Sequence, residues 1–202
     1  MDATDRRWFA VGRANGDGPE AGAAAAGDAL LHDDAKLLVV FCSDSYDLGG
    51  LLDSINERSG GVPLIGCSTA GEIATGGPAD ASVVVTAFGG PGFSIATHAA
   101  RGVSGRLREA GAEAAGCLEN VEEREHQVLL LLTDGLAGDQ QEIVRGAHGV
   151  LGAAVPLVGG CAGDDLKMTK TFQFHDGEVL TDAVVAAGIA SDAPLGIGVR
   201  HG

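Results

Sequence analysis

Long apolar runs alternate with amphipathic segments along this chain. The continuous apolar runs at Lys36–Cys42 and Gln127–Thr133 predict β-strands that are covered on both faces. Between such runs, apolar residues recur every three or four positions, as they do from Leu48 to Ile55, which predicts helices with one buried stripe. This alternation predicts an α/β fold in which helices cover the faces of a mixed sheet or sheets.

The predicted elements follow the order β-α-β-α-β-β, and this order then repeats. Apolar runs predict strands at Arg7–Gly12, Lys36–Cys42, Val62–Gly66, Ala81–Phe88, Phe93–Ala99, Gln127–Thr133, Val155–Gly159 and Asp182–Ala190. The intervening helices lie at Ala21–Leu31, Leu48–Ile55, Val103–Cys117 and Ile143–Leu151. Two further features are a hairpin around His175-Asp176-Gly177 and a strand at Leu195–Val199 that starts the order a third time.

Two segments of the chain repeat the same order of residue types. Val62–Glu72 and Val155–Asp165 each contain a short apolar run, then a loop of small residues with one cysteine, then Ala-Gly-acid. Pro63 and Pro156 are 93 residues apart, and the Ala-Gly pairs are 92 residues apart, so one copy has lost or gained a residue. Duplicated strand-to-loop junctions predict two halves whose matching loops face each other.

This repeat predicts one domain over residues 1–202, made of two pseudo-repeats at about 8–90 and 92–190. The pattern leaves open whether the halves share one sheet or form two sheets that pack face to face. The chain ends at Arg200-His201-Gly202, directly after a predicted strand. We therefore expect that a C-terminal part of the parent protein is missing.

The charge balance excludes two classes of partner. The chain has 13 basic and 28 acidic residues and a formal net charge of −15. Without a Lys/Arg patch it is not suited to nucleic acid or to anionic membrane surfaces. No apolar run is long enough to span a membrane, and the charged N-terminus does not resemble a signal peptide. We expect a cytoplasmic protein.

Metal and nucleotide sites are not predicted either. The four cysteines lack the CxxC spacing of a zinc site, and Cys42 and Cys117 lie on apolar faces, where we expect buried thiols. Neither the phosphate-binding GxxxxGK[ST] loop nor a GxGxxG turn after a strand is present. We therefore expect no metal and no cofactor.

The two repeated loops are the candidate ligand site. Their small residues leave backbone N–H groups open to a carboxylate, and adjacent carboxylates suit an ammonium group. In α/β sheets, ligands favour such loops at the carboxyl ends of strands. The candidate ligand-binding residues are Cys67, Ser68, Thr69, Gly71, Glu72, Cys161, Gly163, Asp164 and Asp165.

Other interpretations of these loops stay open. Gly and Ser residues also allow tight turns, and Glu72 is then a helix cap or a surface charge. Cys67 or Cys161 could instead be the nucleophile of a hydrolase or transferase, although no histidine neighbours either one in sequence. A third interpretation is a protein–protein interaction scaffold without a pocket.

Two acidic residues occupy matching strand ends outside the repeated loops. Asp44 lies in Ser43-Asp44-Ser45, and Asp134 lies in Thr-Asp-Gly. Ser43-Asp44-Ser45 is predicted to cap the following helix. The alternative is that Asp44 and Asp134 form a second acid pair that points into the same cleft. Lys167 and Lys170 are interpreted as solvated charges beside the hairpin.

Several motifs in order resemble the N-terminal FIST domain, from about Phe9 to the last residue. They are Gly66–Glu72, Gly159–Asp165, Thr171–Phe174, Asp182–Ala186 and Gly196–Gly202. The resemblance implies a sensory module of a signal-transduction protein, one that binds a small ligand such as an amino acid and is not an enzyme. It also implies a C-terminal FIST domain of the same protein as a partner. The family supplies no catalytic residue for this chain.

Overall fold

The computed structural model describes residues 7–74, 76–79 and 81–198. Its strands are β1 (Trp8–Ala14), β2 (Ala35–Ser43), β3 (Leu64–Thr69), β4 (Glu72–Ala74), β5 (Gly77–Ala79), β6 (Val83–Gly89), β7 (Phe93–Arg101), β8 (His126–Thr133), β9 (Leu157–Cys161), β10 (Gln173–His175), β11 (Glu178–Leu180) and β12 (Ala183–Ser191). Its helices are α1 (Gly18–Ala29), α2 (Leu48–Ser59), α3 (Leu107–Ala115), followed by a 3₁₀ helix at Gly116–Asn120, and α4 (Gln140–Leu151).

The strands form two large mixed sheets, which confirms the predicted α/β class. The first sheet has the order β1-β6-β2-β3-β10-β11, and the second has the order β7-β12-β8-β9. In each sheet one neighbouring pair is parallel, β2 with β3 and β8 with β9, and the other pairs are antiparallel. A short separate hairpin joins β4 to β5.

The two sheets pack face to face between layers of helices. Apolar side chains such as Val39, Ile65, Leu132 and Val185 form the core between the sheets. Helices α1 and α2 cover the outer face of the first sheet, and α3 and α4 cover the outer face of the second. The structure therefore decides the question that the pattern left open: the halves form two packed sheets. In the described part of the chain, every helix is too short or too polar to cross a membrane.

The sheets share a four-strand order. Strands β7-β12-β8-β9 of the second sheet follow the same order and directions as β1-β6-β2-β3 of the first. This arrangement is what two pseudo-repeats require, and the duplication itself stays a prediction.

Only the first sheet is extended beyond these four strands, within the described residues. Strands β10 and β11 form the predicted hairpin, but β10 pairs with β3 of the other half. Phe174 of β10 lies opposite Gly66 of β3 and is fully buried against the α1–α2 side of the sheet. A Cβ atom at Gly66 would lie 2.8 Å from the Phe174 ring and 2.2 Å from the carbonyl oxygen of Val40. Glycine is therefore required where the hairpin docks.

Two predictions of local structure were wrong. Helix α2 begins at Leu48 with Asp47 at its N-cap, so Ser43-Asp44-Ser45 does not cap it and instead forms the end of β2 and a turn. Leu195–Gly198 has no strand conformation, so the third start of the order is not found there, and Val199 lies outside the described residues. The β4–β5 hairpin was not predicted.

The structure buries only part of the apolar stripe that the residue spacing predicts for α4, at Ile143, Val144, Ala147, Val150 and Leu151. Ile143 and Ala147 are buried, as expected. Val144 is 39% exposed and Val150 is 47% exposed, so neither belongs to the core. In the other stripe, Leu48 to Ile55, every predicted position is buried. Cys42 and Cys117 are buried thiols, as predicted.

Candidate functional site

The two repeated loops lie against each other, as predicted. The hydroxyl of Ser68 donates to the carbonyl oxygen of Gly163 at 2.7 Å, and the Gly163 N–H donates to the Ser68 carbonyl oxygen at 2.8 Å. The Ser68 hydroxyl also accepts the N–H of Phe172 at 3.0 Å, and the residue is fully buried. These hydrogen bonds join the two halves of the chain. The polar groups of Ser68 and Gly163 that form them therefore bind to the protein itself.

Asp164 anchors the loop that follows β9. Its buried carboxylate accepts the backbone N–H groups of Thr169 at 2.6 Å and of Lys170 and Met168 at 3.0 Å. These donors lower the pKa of Asp164 to about 2, since they stabilise the ionised form. Leu166 and Met168 have φ values of 61° and 54°, a left-handed conformation that is unfavourable for such residues. The hydrogen bonds to Asp164 hold the backbone in this conformation. We call residues 164–170 the anchored loop.

Glu72 has a comparable role in the loop that follows β3. The residue is 1% exposed, and its carboxylate accepts the hydroxyl of Thr69 at 2.7 Å. It also accepts the N–H of Ser82 at 2.9 Å and the Ser82 hydroxyl at 3.1 Å. Glu72 therefore fixes the orientation of Thr69 and ties the start of β4 to the start of β6.

A polar cavity of about 370 Å³ lies between these loops. It opens at the carboxyl ends of the parallel strands β2 and β3, where α/β sheets favour ligands. The residues that line it are Ser43–Ser45, Thr69–Glu72, Ala81, Asp165 and Lys167. We call this cavity the cleft, and it is built from both halves of the chain.

The cleft combines carboxylates with one ammonium group. Asp44, Glu72 and Asp165 line it together with Lys167. The Lys167 ammonium donates to both oxygens of Asp44, at 2.7 and 2.9 Å, and these hydrogen bonds raise the pKa of Lys167. Lys167 therefore stays charged and crosses the cleft from the anchored loop to the end of β2. Across the described residues, no group of three or more His, Cys, Asp or Glu is arranged to hold a metal ion.

The structure places the predicted site residues in three environments. Four of them line the cleft: Thr69, Gly71, Glu72 and Asp165. Three are used in contacts between or within the loops: Ser68, Gly163 and Asp164. The two cysteines lie elsewhere, Cys67 in the core between the sheets and Cys161 on a separate apolar groove. Asp44 and Lys167 complete the cleft, and Lys167 was missed because it is 123 residues from its partner.

The alternative interpretation, that Asp44 and Asp134 form an acid pair in the cleft, is wrong. Asp44 lines it, but Asp134 is buried and does not. The Asp134 carboxylate accepts the hydroxyl of Thr171 at 2.7 Å and the N–H groups of Leu136 at 2.8 Å and Asp182 at 2.9 Å. Asp134 therefore holds the turns at this end of the second sheet.

The cleft lies within the part of the chain that matches a known family. Residues 36–202 match the family described as FIST N domain. The chain belongs to this family. The match includes both repeated loops, Asp44 and Lys167, and it excludes β1 and α1. Membership indicates a sensory role in signal transduction for this FIST N domain.

Solved structures and curated proteins give no further indication of the function of this FIST N domain. A crystal structure of a cyanuric acid hydrolase from A. caulinodans matches with a TM-score of 0.47 and 12% sequence identity, over 92% of this chain and 71% of that chain. A likeness this distant supports no inference about the FIST N domain. No curated protein matches the chain.

Within the part of the chain that the structure describes, neither Cys67 nor Cys161 has the neighbours of a usual catalytic cysteine. Burial raises the pKa of Cys67 to about 12, which opposes thiolate formation near neutral pH. Cys161 is exposed, and its sulfur lies 3.4 Å from the hydroxyl oxygen of Thr133, which donates its proton to Gln140 at 2.7 Å. Among the residues that the structure describes, no histidine or other base forms a hydrogen bond with either sulfur.

Alkylation tests the role of these cysteines directly. In the folded FIST N domain, iodoacetamide is expected to modify Cys161 at the rate of an ordinary exposed thiol. Cys42, Cys67 and Cys117 are expected to react only after unfolding, because burial raises the pKa of each thiol. Peptide mapping by mass spectrometry over time measures each rate. Rapid reaction at Cys67, or unusually fast reaction at Cys161, would favour the hydrolase or transferase interpretation.

Proposed function

We propose that this FIST N domain is a cytoplasmic sensor that binds an amino acid or a similar small zwitterion in the cleft. The observation that supports this proposal is the charge arrangement of the cleft. Asp44 and Asp165 supply carboxylates, and Lys167 supplies an ammonium group, around a cavity of about 370 Å³. A free amino acid carries a carboxylate, which is complementary to Lys167, and an ammonium group, which is complementary to Asp44 and Asp165.

The contacts of the cleft suggest how such a ligand is oriented. Lys167 takes the ligand carboxylate, beside the exposed backbone of Gly71. The Thr69 hydroxyl donates its one proton to Glu72, so its oxygen is left to accept from the ligand ammonium group. Asp44 and Asp165 take the ammonium group. Glu72 acts through Thr69, because its own carboxylate is buried and already accepts three hydrogen bonds.

Ligand binding replaces an internal ion pair in this proposal. The Lys167 side chain is 49% exposed and that of Asp44 is 11% exposed, so water screens the pair and it contributes little to stability. A zwitterion satisfies both charges at once, so the exchange of partners requires little energy. Because Lys167 belongs to the anchored loop and Asp44 to the other half, occupancy shifts the loop relative to the first sheet. The proposed receiver of this change is a C-terminal FIST domain of the same protein.

Lys167→Met is expected to weaken amino acid binding by about 10–100-fold, because it removes the charge but keeps most of the apolar stem. Isothermal titration calorimetry on the folded variant measures the change. Lys170→Met is the matched control. Lys170 is the next lysine along the loop, and its ammonium lies 4.9 Å from the centre of the Phe172 ring rather than in the cleft. The affinity of the Lys170→Met variant for the amino acid is expected to stay within about twofold of that of the unmodified protein, since charges at the rim contribute little to binding.

The ligand class is tested with a set of related compounds. A thermal-shift screen compares each amino acid with an analogue that lacks the ammonium group and with one that lacks the carboxylate. A ligand that binds only the native state stabilises it by RT ln(1 + [L]/Kd), so the zwitterion is expected to give the largest shift. If no compound gives a saturable shift, or if Lys170→Met has the same effect as Lys167→Met, the cleft is not the site.

A further inference from the structure

The charges that line the cleft do not balance. Among the described residues, three carboxylates line it, those of Asp44, Glu72 and Asp165, whereas Lys167 supplies one ammonium group. The excess is two negative charges. An amino acid with an uncharged side chain has no net charge, so it leaves this excess unchanged. A ligand with one further positive charge reduces the excess and matches the cleft better.

The three carboxylates differ in the partners that they already have. Glu72 is buried and accepts three hydrogen bonds from the protein. Asp44 accepts two hydrogen bonds from Lys167. Asp165 is exposed, and within the described ranges it forms no hydrogen bond or ion pair. A ligand therefore binds to Asp165 without displacing a partner within the described part of the protein.

Asp165 nevertheless lies close to the ion pair of the cleft. The pKa of Lys167 is raised first by its hydrogen bonds to Asp44 and further by the negative charges of Asp165 and Asp164. Since Asp164 is already bound to backbone N–H groups of the anchored loop, Asp165 is the nearby carboxylate that a ligand in the cleft can reach.

The cleft offers little apolar surface to the side chain of a ligand. Within the described residues, the apolar side chains that line it are those of Ala70 and Ala81, each a single methyl group. The apolar groove that contains Cys161 differs, because leucine, isoleucine and valine side chains line it. Burial of an apolar side chain gains free energy in proportion to the apolar area removed from water. The cleft therefore does not favour branched or aromatic amino acids.

The charge of the whole chain acts in the same direction. Its formal net charge is −15. A field of this sign raises the local concentration of cations and lowers that of anions. An acidic amino acid would also bring a second carboxylate into a cleft whose described residues include one ammonium group. The charges therefore disfavour acidic amino acids and favour basic ones.

The ion pair indicates where the main-chain groups of an amino acid bind. The carboxylate and the α-ammonium group of an amino acid are attached to the same carbon atom, so they need complementary charges that are close together. The Lys167 Nζ atom and the nearer Asp44 oxygen are 2.7 Å apart. Lys167 and Asp44 are therefore suited to the two groups on the α-carbon, and Asp165 is left for the side chain.

We propose that the ligand of the cleft is a dibasic amino acid, such as lysine, ornithine or arginine, whose side-chain cation binds to Asp165. This inference rests on the proposed function, because it assigns the side chain of the same zwitterion. Lys167 takes the carboxylate, and Asp44 takes the α-ammonium group together with the Thr69 oxygen. Specificity then depends on Asp165, because hydrogen bonds between charged groups are stronger than those between neutral groups.

Lysine and norleucine are the deciding pair of ligands, because norleucine has the carbon chain of lysine without the side-chain ammonium group. Isothermal titration calorimetry with the full chain is expected to show that lysine binds about 10–100-fold more tightly than norleucine. Cadaverine is lysine without its carboxylate. It is expected to bind about 10-fold more weakly than lysine or less, because it has no group for Lys167.

The ratio of the lysine and norleucine affinities is then measured in two variants. Asp165→Asn is expected to bring this ratio to within about threefold of one, because the variant lacks the charge that binds the side-chain cation. Asparagine tolerates the φ of 56° at this position, so the anchored loop keeps its path. Asp53→Asn is the matched control and is expected to keep the ratio, since Asp53 is an exposed residue of α2 that does not line the cleft.

The outcomes separate this inference from the proposed function. Saturable binding of lysine and norleucine with equal affinity would overturn the dibasic ligand and leave the zwitterion site in place. An unchanged ratio in Asp165→Asn would overturn the role of Asp165. Cadaverine that binds as tightly as lysine would indicate a diamine site and would contradict both proposals. If lysine does not bind at millimolar concentration, the dibasic ligand is wrong, and the wider thermal-shift screen decides the proposed function.

Discussion

Phe174→Ala is expected to lower the free energy of unfolding by about 3–5 kcal/mol, the usual range for an aromatic residue removed from a core. Phe174 is fully buried and packs in the core between the first sheet and its helices. Gly66, opposite it, has no side chain that could move into the space. Urea denaturation followed by circular dichroism measures the loss.

The neighbouring phenylalanine provides the control for this prediction. Phe172 is only partly buried at the border of the same core, and the Lys170 ammonium lies over its ring. Phe172→Ala is expected to lower the free energy of unfolding by about 1–2 kcal/mol, since less apolar area is lost. If Phe174→Ala had no greater effect than Phe172→Ala, the hairpin would not be part of the first core.

Glu72→Ala is expected to lower the free energy of unfolding by about 2–4 kcal/mol, because a buried donor left without an acceptor costs about 1–3 kcal/mol. The donors that lose their acceptor are the N–H and hydroxyl of Ser82 and the hydroxyl of Thr69. Thermal and urea denaturation measure the change. Since Thr69 then loses its fixed orientation, the variant is also expected to bind amino acids more weakly than the unmodified protein.

Two further variants decide how specific this effect is. Glu57→Ala removes an exposed carboxylate from α2 and is expected to change the free energy of unfolding by less than about 0.5 kcal/mol. Glu72→Gln keeps one acceptor oxygen and is expected to lie between the unmodified protein and Glu72→Ala. A Glu72→Ala protein as stable as the Glu57→Ala protein would show that the buried carboxylate is not a structural anchor.

The sequence predicts those parts of the fold that depend on local pattern. Continuous apolar runs become the central strands β2 and β8, and the stripe from Leu48 to Ile55 becomes the buried face of α2. The repeated loops meet because parallel strands bring their carboxyl ends to the same edge of each sheet and the two sheets pack together. These features need only residue periodicity and the repeat.

The features that sequence reasoning missed depend on contacts between distant residues. Strand β5 contains glycine and proline, and Ile73 of β4 is 77% exposed, so no alternating apolar pattern marks the two strands. The pairing of β10 with β3 crosses from one half to the other. The Lys167–Asp44 ion pair depends on the path of the anchored loop, which Asp164 fixes by accepting backbone N–H groups. None of these contacts has a local signature.

The hairpin that completes the first sheet comes from late in the chain, and this affects synthesis. Strand β3 ends at Thr69, whereas β10 begins at Gln173. A ribosome adds about 5–20 residues per second, so the roughly 100 intervening residues take about 5–20 s to emerge. During this time the nascent first half exposes an open strand edge and the unfilled space beside Gly66. Chaperones are expected to bind the growing chain in this interval, and release follows when the hairpin leaves the ribosome.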